Sequence, residues 1–196
     1  MKKGWIVVLS IVGILFLIGA WFAGAYNSLV AWEEQVNKAW SQVENVYQRR
    51  LDLIPNLVET VKGYAAHESQ TFIAVTQARA RAAGSVSPDA INDPEKFAKF
   101  QESQTALSSA LSRLLVVVEQ YPDLKANQNF LELQAQLEGT ENRIAVERGR
   151  FNESAQGFNT RLRQFPTNFV ASMFAFKSKS YFQSEAGAAV APKVKF

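Results

Sequence analysis

Between Gly4 and Trp32 the chain carries no charged residue. The core of that run, WIVVLSIVGILFLIGAWFAGAY from Trp5 to Tyr26, meets the requirement for crossing a bilayer, about 20 predominantly apolar residues. Hydrocarbon offers no hydrogen bonds, so a single span has to satisfy its own backbone and must be a helix. Trp5 stands at one edge of the run, and Trp21, Phe22 and Tyr26 at the other. Aromatic residues collect at both membrane–water boundaries, and these fit that pattern.

Two readings of the run compete. Lys2 and Lys3 followed by an apolar stretch and Ala23-Gly24-Ala25 have the form of a signal peptide with a small-residue cleavage site. The run is longer than the roughly 7–15 apolar residues of such a signal, and Trp21 and Phe22 crowd the cleavage position. The expectation is an uncleaved anchor, with a mature chain that begins at or near Met1. Sidedness follows the basic residues near the ends of a span. Lys2 and Lys3 adjoin it on one side, whereas the other side first meets Lys38. This favours a cytoplasmic N-terminus and a main domain outside a bacterial plasma membrane, in the periplasm if there is one.

The rest of the chain reads as helix. Pro122 and Pro166 bound a stretch in which Phe130, Leu137, Ile144, Phe151, Phe158 and Phe165 recur every seven residues. A sustained seven-residue repeat is a helix-packing seam. Before Pro122, Phe97, Phe100, Gln104, Leu107, Leu111, Leu114 and Val118 alternate steps of three and four, and Asp93-Pro94-Glu95 supplies a helix start. Nearest the membrane, Leu29, Val36, Val43, Leu57 and Tyr64 share one heptad position, which Arg50 interrupts, while Trp40, Tyr47, Ile54 and Val61 share the partner position. That pattern crosses Pro55 in register. It predicts one helix, kinked at the proline, from about Asn27 to Ala82 and continuous with the span. Residues 83–92 read as a loop with at most one turn, and Thr167 to Phe174 as a short helix. The expected fold class is all-α, a long-helix antiparallel bundle with three long helices, the first one kinked, and an N-terminal transmembrane helix.

Composition removes most chemistry. There is no Cys, so disulfides, thiol catalysis, thiolate metal sites and lipoprotein modification are excluded. The single His, His67, lacks the second His of a HExxH zinc site and cannot serve both helices of a di-iron bundle. No phosphate-binding glycine loop and no GxSxG elbow occurs. Carboxylate pairs such as Glu33/Glu34 and Glu138/Glu141 read as solvated helix faces. The formal charge is only +3, and two of the basic residues precede the span, which argues against nucleic acid as a partner. No catalytic, cofactor or metal residues are expected, and no enzymatic activity. The polar stretch from Gly139 to Asn152, with Asn142, Arg143, Arg148, Arg150 and Asn152, reads either as polar contacts that fix helix register or as a partner-binding stripe. Gly139, Gly149 and Gly157 each weaken a helix by about 1 kcal/mol against Ala, which close approach of a neighbouring helix would explain.

Several long blocks resemble the LemA family: YNSLV at Tyr26–Val30, RRLDLIPNLVETVKGYAAHE at Arg49–Glu68, QARA at Gln77–Ala80, EGTENRIAVERGRFNE at Glu138–Glu153, FNTRLRQFP at Phe158–Pro166, and the closing YFQSEAG and APKVKF. The resemblance implies the same all-α bundle with an N-terminal anchor, and implies neither an enzymatic reaction nor a cofactor. A related group of magnetosome proteins implies a membrane-organising role. The domain plan is an N-terminal tip at 1–4, a transmembrane helix at 5–26, a LemA-like bundle at 27–186 and a tail at 187–196. The expected function is a single-pass scaffold or adaptor of the bacterial envelope. Its expected partners are the lipid bilayer, copies of itself as a homo-oligomer, and other envelope membrane proteins. The alternative is an accessory or sensor subunit of an envelope protease or signalling system.

The C-terminal segment is too apolar for a free tail. Phe169, Val170, Met173, Phe174, Phe176, Tyr181 and Phe182 crowd together after Pro166, and disordered segments carry few aromatics. Phe169 to Phe182 is expected to pack on a helix seam, of a neighbouring subunit in preference to its own, with Ala191 to Phe196 docking as a strap. On that reading, deleting the chain from Asn168 onwards would turn the oligomer into a monomer.

Overall fold

The computed structural model describes residues 2–65 and 67–183. All the regular structure among them is helical. Helix α1 runs from Lys2 to Lys62 without a break, so the apolar span and the first helix of the bundle are one rod. Its part from Asn27 onwards is about 54 Å long at 1.5 Å per residue.

Pro55 lies inside α1. A proline at this position leaves the carbonyl four residues earlier, that of Leu51, without its helical donor. The guanidinium Nε of Arg79 donates to the Leu51 oxygen at 2.8 Å. A side chain from the next helix thus takes up the acceptor that Pro55 orphans, as a buried carbonyl requires.

The expectation that α1 continues to Ala82 is corrected. The helix stops at Lys62 and a separate helix α2 spans Ser69–Ser85. Gly63 is a poor helix former, and the bonds tighten there: the Tyr64 N–H reaches the Val61 carbonyl at 3.0 Å. Tyr64, which falls in the heptad register, is largely exposed. The chain reverses through this turn, so α2 runs back towards the membrane side.

A single-turn 3-10 helix, Pro88–Asn92, leads into α3, Pro94–Val118. Asp93 caps α3, accepting from the Glu95 N–H at 2.9 Å and the Lys96 N–H at 3.3 Å. A short α4, Pro122–Lys125, precedes α5, Gln128–Arg163, whose first turn is capped by the Asn127 side chain accepting from Phe130 N at 3.0 Å. Helix α6, Thr167–Met173, follows.

Contacts fix the directions. Gln104 of α3 and Glu141 of α5 both meet Arg50, while Phe97 and Phe151 meet Trp40. Helix α3 therefore climbs beside α1, and α5 descends antiparallel to it. Away from the membrane, Leu57, Val61, Phe72, Val75, Leu114, Val118, Leu124 and Phe130 form one core cluster. On the membrane side Leu29, Val36, Trp40, Phe97, Phe100, Phe151, Phe158 and Val170 form another. The α3 residues named from periodicity are all buried, as are Phe130, Leu137, Ile144, Phe151 and Phe158 of α5. Phe165 is the exception on that seam: α5 has ended, and its ring is 79% exposed.

Helix α2 ends at Ser85, so the membrane-side half of the bundle lacks a fourth helix. The segment after α6 fills the gap. It climbs back along the bundle in an extended path and sets Phe182 among Trp40, Phe97, Phe100 and Phe151, with ring centroids 4.9–6.2 Å apart. The expectation that Phe169 to Phe182 covers a neighbouring subunit is corrected for Val170, Phe176 and Phe182, which pack in the core of their own chain, whereas Phe169 and Met173 stay exposed. The strap expected at Ala191 to Phe196 lies outside the described residues.

Of the three glycines of α5, one is explained by close approach. A Cβ on Gly157 would lie 2.5 Å from Cζ3 of Trp32 on α1, whereas none would meet an atom within 4 Å at Gly139 or Gly149. Gly139→Ala and Gly149→Ala should each stabilise the protein by about 0.5–1 kcal/mol through helix propensity. Gly157→Ala should lose that gain to overpacking, which costs about 1–3 kcal/mol. Thermal melts of the three variants decide it: the first two rise and the third does not.

Candidate functional site

The most unusual residue of the core is Arg50, whose side chain is 2% exposed. It occupies a heptad position that otherwise holds Leu29, Val36, Val43 and Leu57. A buried charge has to be paired and hydrogen-bonded, and three helices supply the partners. Nη1 donates to Glu141 Oε1 at 2.8 Å and to Ser108 Oγ at 3.2 Å. Nη2 donates to the Gln104 side-chain oxygen. The guanidinium also lies 5.2 Å from the centre of the Tyr47 ring. Arg50 Nε is buried without a hydrogen-bond partner among the described residues. Glu141 is half exposed and opens onto a polar cavity of about 310 Å³, lined also by Glu102, Thr105, Arg148 and Phe182. The cavity carries charges of both signs, and its floor is the Arg50 network.

A second polar system holds the tail. The side-chain amide of Asn159 donates to the Lys179 carbonyl at 2.9 Å and accepts from the Lys179 N–H at 2.8 Å. Asn152 does the same for Phe182, at 3.0 and 2.9 Å. Each Asn thus pairs with both backbone groups of one tail residue, as a neighbouring strand would. The spacing is matched: seven helical residues rise about 10.5 Å, and three extended residues cover about 10 Å. Lys179 itself turns inward, 3% exposed, and donates to Glu33 Oε1 at 2.7 Å and Asn92 Oδ1 at 2.5 Å. Arg148 closes the end, donating to the Gln183 carbonyl at 2.9 Å with its guanidinium 4.7 Å from the Phe182 ring centre.

Asn159→Ala leaves the Lys179 N–H and carbonyl unpaired, at about 1–3 kcal/mol for each buried group. Hydrogen exchange should report it locally. The Lys179 and Phe182 amides are expected to exchange much faster, while amides in the middle of α5 keep their protection. Equal protection in variant and parent would show that the Asn159 pairing does not hold the tail.

The residues singled out in the sequence divide cleanly. Arg148 and Asn152 of the polar stretch bind the tail of their own chain, whereas Asn142 and Arg143 are exposed. Glu33 and Glu141, expected on solvated faces, instead pair with buried Lys179 and Arg50. Glu34 and Glu138 are exposed as expected. His67 is exposed on the turn between α1 and α2. Burial pushes the Glu44 carboxyl of α1 above its usual range, so its ionisation disfavours the fold as pH rises through that raised value. Among the described residues no cluster of three His, Asp or Glu is placed to hold a metal. Sequence reasoning missed Asn159 and Lys179. Arg50 left one signal, a charge in an apolar register, whereas Lys179 left none, because it sits in an extended segment without periodicity.

One described helix, α1, is long and apolar enough to cross a membrane, and its most apolar stretch is wholly unburied. The chain is 27% identical to magnetosome protein MamQ 2 of Paramagnetospirillum magneticum, over 92% of this chain and 72% of that protein. It is likewise 27% identical to magnetosome protein MamQ of Magnetospirillum gryphiswaldense, over 82% and 65%. With Protein LemA of Metamycoplasma hominis it shares 25% identity over 88% and 74%. The polar centre joins three of the blocks that carried the family resemblance: Arg50 from the Arg49–Glu68 block, Arg79 bridging to Leu51 from QARA, and Glu141 from EGTENRI. The family model described as LemA family matches residues 39–196, a range that holds Arg50, Arg79 and Glu141, and the chain belongs to the LemA family.

Proposed function

We propose that this protein is a single-pass, membrane-anchored helical scaffold or adaptor of the bacterial envelope, which self-assembles and presents its bundle to other envelope membrane proteins. The observation that carries the reading is the continuity of α1, one helix from the apolar run to Lys62. A bundle continuous with that rod is carried at a set height above the bilayer, as an assembly platform requires and a free soluble enzyme does not. The magnetosome names of its relatives support a membrane-organising role. Lys2 and Lys3, set against the delayed Lys38, support a cytoplasmic N-terminus and an extracytoplasmic bundle.

Extraction in mild detergent followed by mass measurement of the intact complex tests the reading. Multiples of the 21.8 kDa chain, alone or with other membrane proteins, are the expected result. A strictly monomeric chain bound at fixed ratio to one protease or kinase would replace it with the accessory-subunit reading. Protease added to right-side-out cells should digest the bundle. Protection of the bundle while an external control is cut would reverse the orientation.

A further inference from the structure

Helix α5 descends towards the span, and the turn after it is the membrane-side tip of the bundle. That tip is apolar where it should be wet. Phe165, Phe169, Met173 and Phe174 are 79, 62, 68 and 49% exposed. Phe165 and Phe169 pack on each other with ring centroids 5.9 Å apart. Phe169 and Met173 are one helical turn apart and lie on one face of α6, while Val170 and Ala171 on the other face are buried against the bundle. Helix α6 therefore has two apolar sides, only one of which meets protein.

Its height relative to the bilayer is fixed by direct contact. The Phe174 ring centre is 4.6 Å from that of Tyr26 and 6.2 Å from that of Phe22. These two residues stand at the outer edge of the apolar run. The exposed face of α6 is thus continuous with the lipid-facing surface of the span, at the level where aromatic side chains meet headgroups. Charge agrees. From Ser154 to Ser184 the chain has no acidic residue but has Arg161, Arg163, Lys177 and Lys179. Lys179 is consumed internally, whereas the other three are exposed around the tip. An apolar face bordered by cations is the pattern of a segment lying in the interface of an anionic membrane.

We propose that α6 and the turn before it form a second membrane contact, with Phe165, Phe169 and Met173 inserted among the lipids beside the span and Arg161, Arg163 and Lys177 on anionic headgroups. A single helix leaves a bundle free to tilt and spin about its anchor. A second point of insertion fixes both, and gives every copy the same face towards its neighbours. The occupant is lipid rather than a second copy, because the patch merges with the span itself. The inference rests on the anchored reading of the chain.

The chain has no Cys, so the single substitutions Leu15→Cys, Val116→Cys, Phe169→Cys and Met173→Cys each give one nitroxide attachment point in the full-length protein with no native thiol to remove. The protein is reconstituted in vesicles of phosphatidylcholine and phosphatidylglycerol at three to one, with labels at Leu15, Phe169, Met173 or Val116 in separate samples. Val116, 65% exposed on α3, is the water reference, and Leu15 is the reference for the span. Labels at Phe169 and Met173 are expected to show a several-fold loss of accessibility to a water-soluble nickel chelate relative to Val116, with accessibility to oxygen retained. Nickel accessibility equal to that at Val116, with Leu15 protected, would overturn the second contact while leaving the anchor in place. Loss of the Leu15 protection would overturn the anchor, and with it this inference. Protection at Phe169 from both reagents, with spin–spin broadening that disappears on dilution with unlabelled protein, would assign the patch to a second copy and also overturn the proposal.

Discussion

Phe151→Ala is expected to lower the unfolding free energy of the detergent-solubilised protein by about 3–5 kcal/mol, as truncation of a buried Phe does. Phe151 is fully buried. Its ring lies between Trp40 of α1 at 5.5 Å, Phe97 of α3 at 6.1 Å and Phe182 of the tail at 5.6 Å. Such pairs add about 0.5–1.5 kcal/mol beyond their area, and all three are lost together. The cavity would lie where three helices and the tail converge, so little of it can collapse. For a chain of this size the change corresponds to roughly 6–20 °C in the melting temperature. Circular dichroism on heating measures it. Because the span is stabilised by its apolar surroundings, residual helix above the transition is expected, and only the cooperative step should move. A melting temperature within 2–3 °C of the parent, a span set by the roughly 2–4 °C per kcal/mol expected at this size, would mean that this aromatic cluster is not the packing centre of the bundle.

Glu141→Ala is the second. Among the described residues it removes the one carboxylate bonded to the buried Arg50 and leaves the guanidinium its hydrogen bonds to Ser108 and Gln104 and its contact with the Tyr47 ring. Breaking one side of a buried ion pair costs about 3–5 kcal/mol, because the remaining charge stays desolvated. Glu141 is itself 42% exposed, which places the expected loss near the lower end, about 3 kcal/mol. The matching double variant Arg50→Met with Glu141→Leu removes both charges and should recover most of that loss, since apolar replacement of a buried pair is often neutral or stabilising. The two measurements separate two roles. If the double variant is stable and still assembles, the pair serves register alone. If it is stable but its assembly or co-purifying proteins change, the cavity above Glu141 belongs to the function. A Glu141→Ala variant as stable as the parent would show that water reaches Arg50 and that its charge is not buried in solution.

The span, the all-helical class and the seams of α3 and α5 were legible in the chain because each depends on one element at a time. A heptad records which face of a helix is covered, and Phe97 to Val118 and Phe130 to Phe158 record it without ambiguity. The start of α3 was legible for the same reason, since Asp93 caps the helix within three residues of itself. The end of α1 was not. Periodicity runs on through Tyr64, and what ends the helix is a weak Gly63 together with the gain from folding α2 back onto α1. Nor does periodicity say what covers a seam. The fourth position of the membrane-side half is taken by an extended segment rather than a helix, and only the packed bundle shows that Asn152 and Asn159 are spaced to receive it. The pairs Arg50–Glu141 and Lys179–Glu33 join residues 91 and 146 positions apart. The cost of burying each of these cations is offset only where distant helices meet, so the sequence by itself determined the elements and their apolar faces, and the tertiary structure decided which charges those faces enclose.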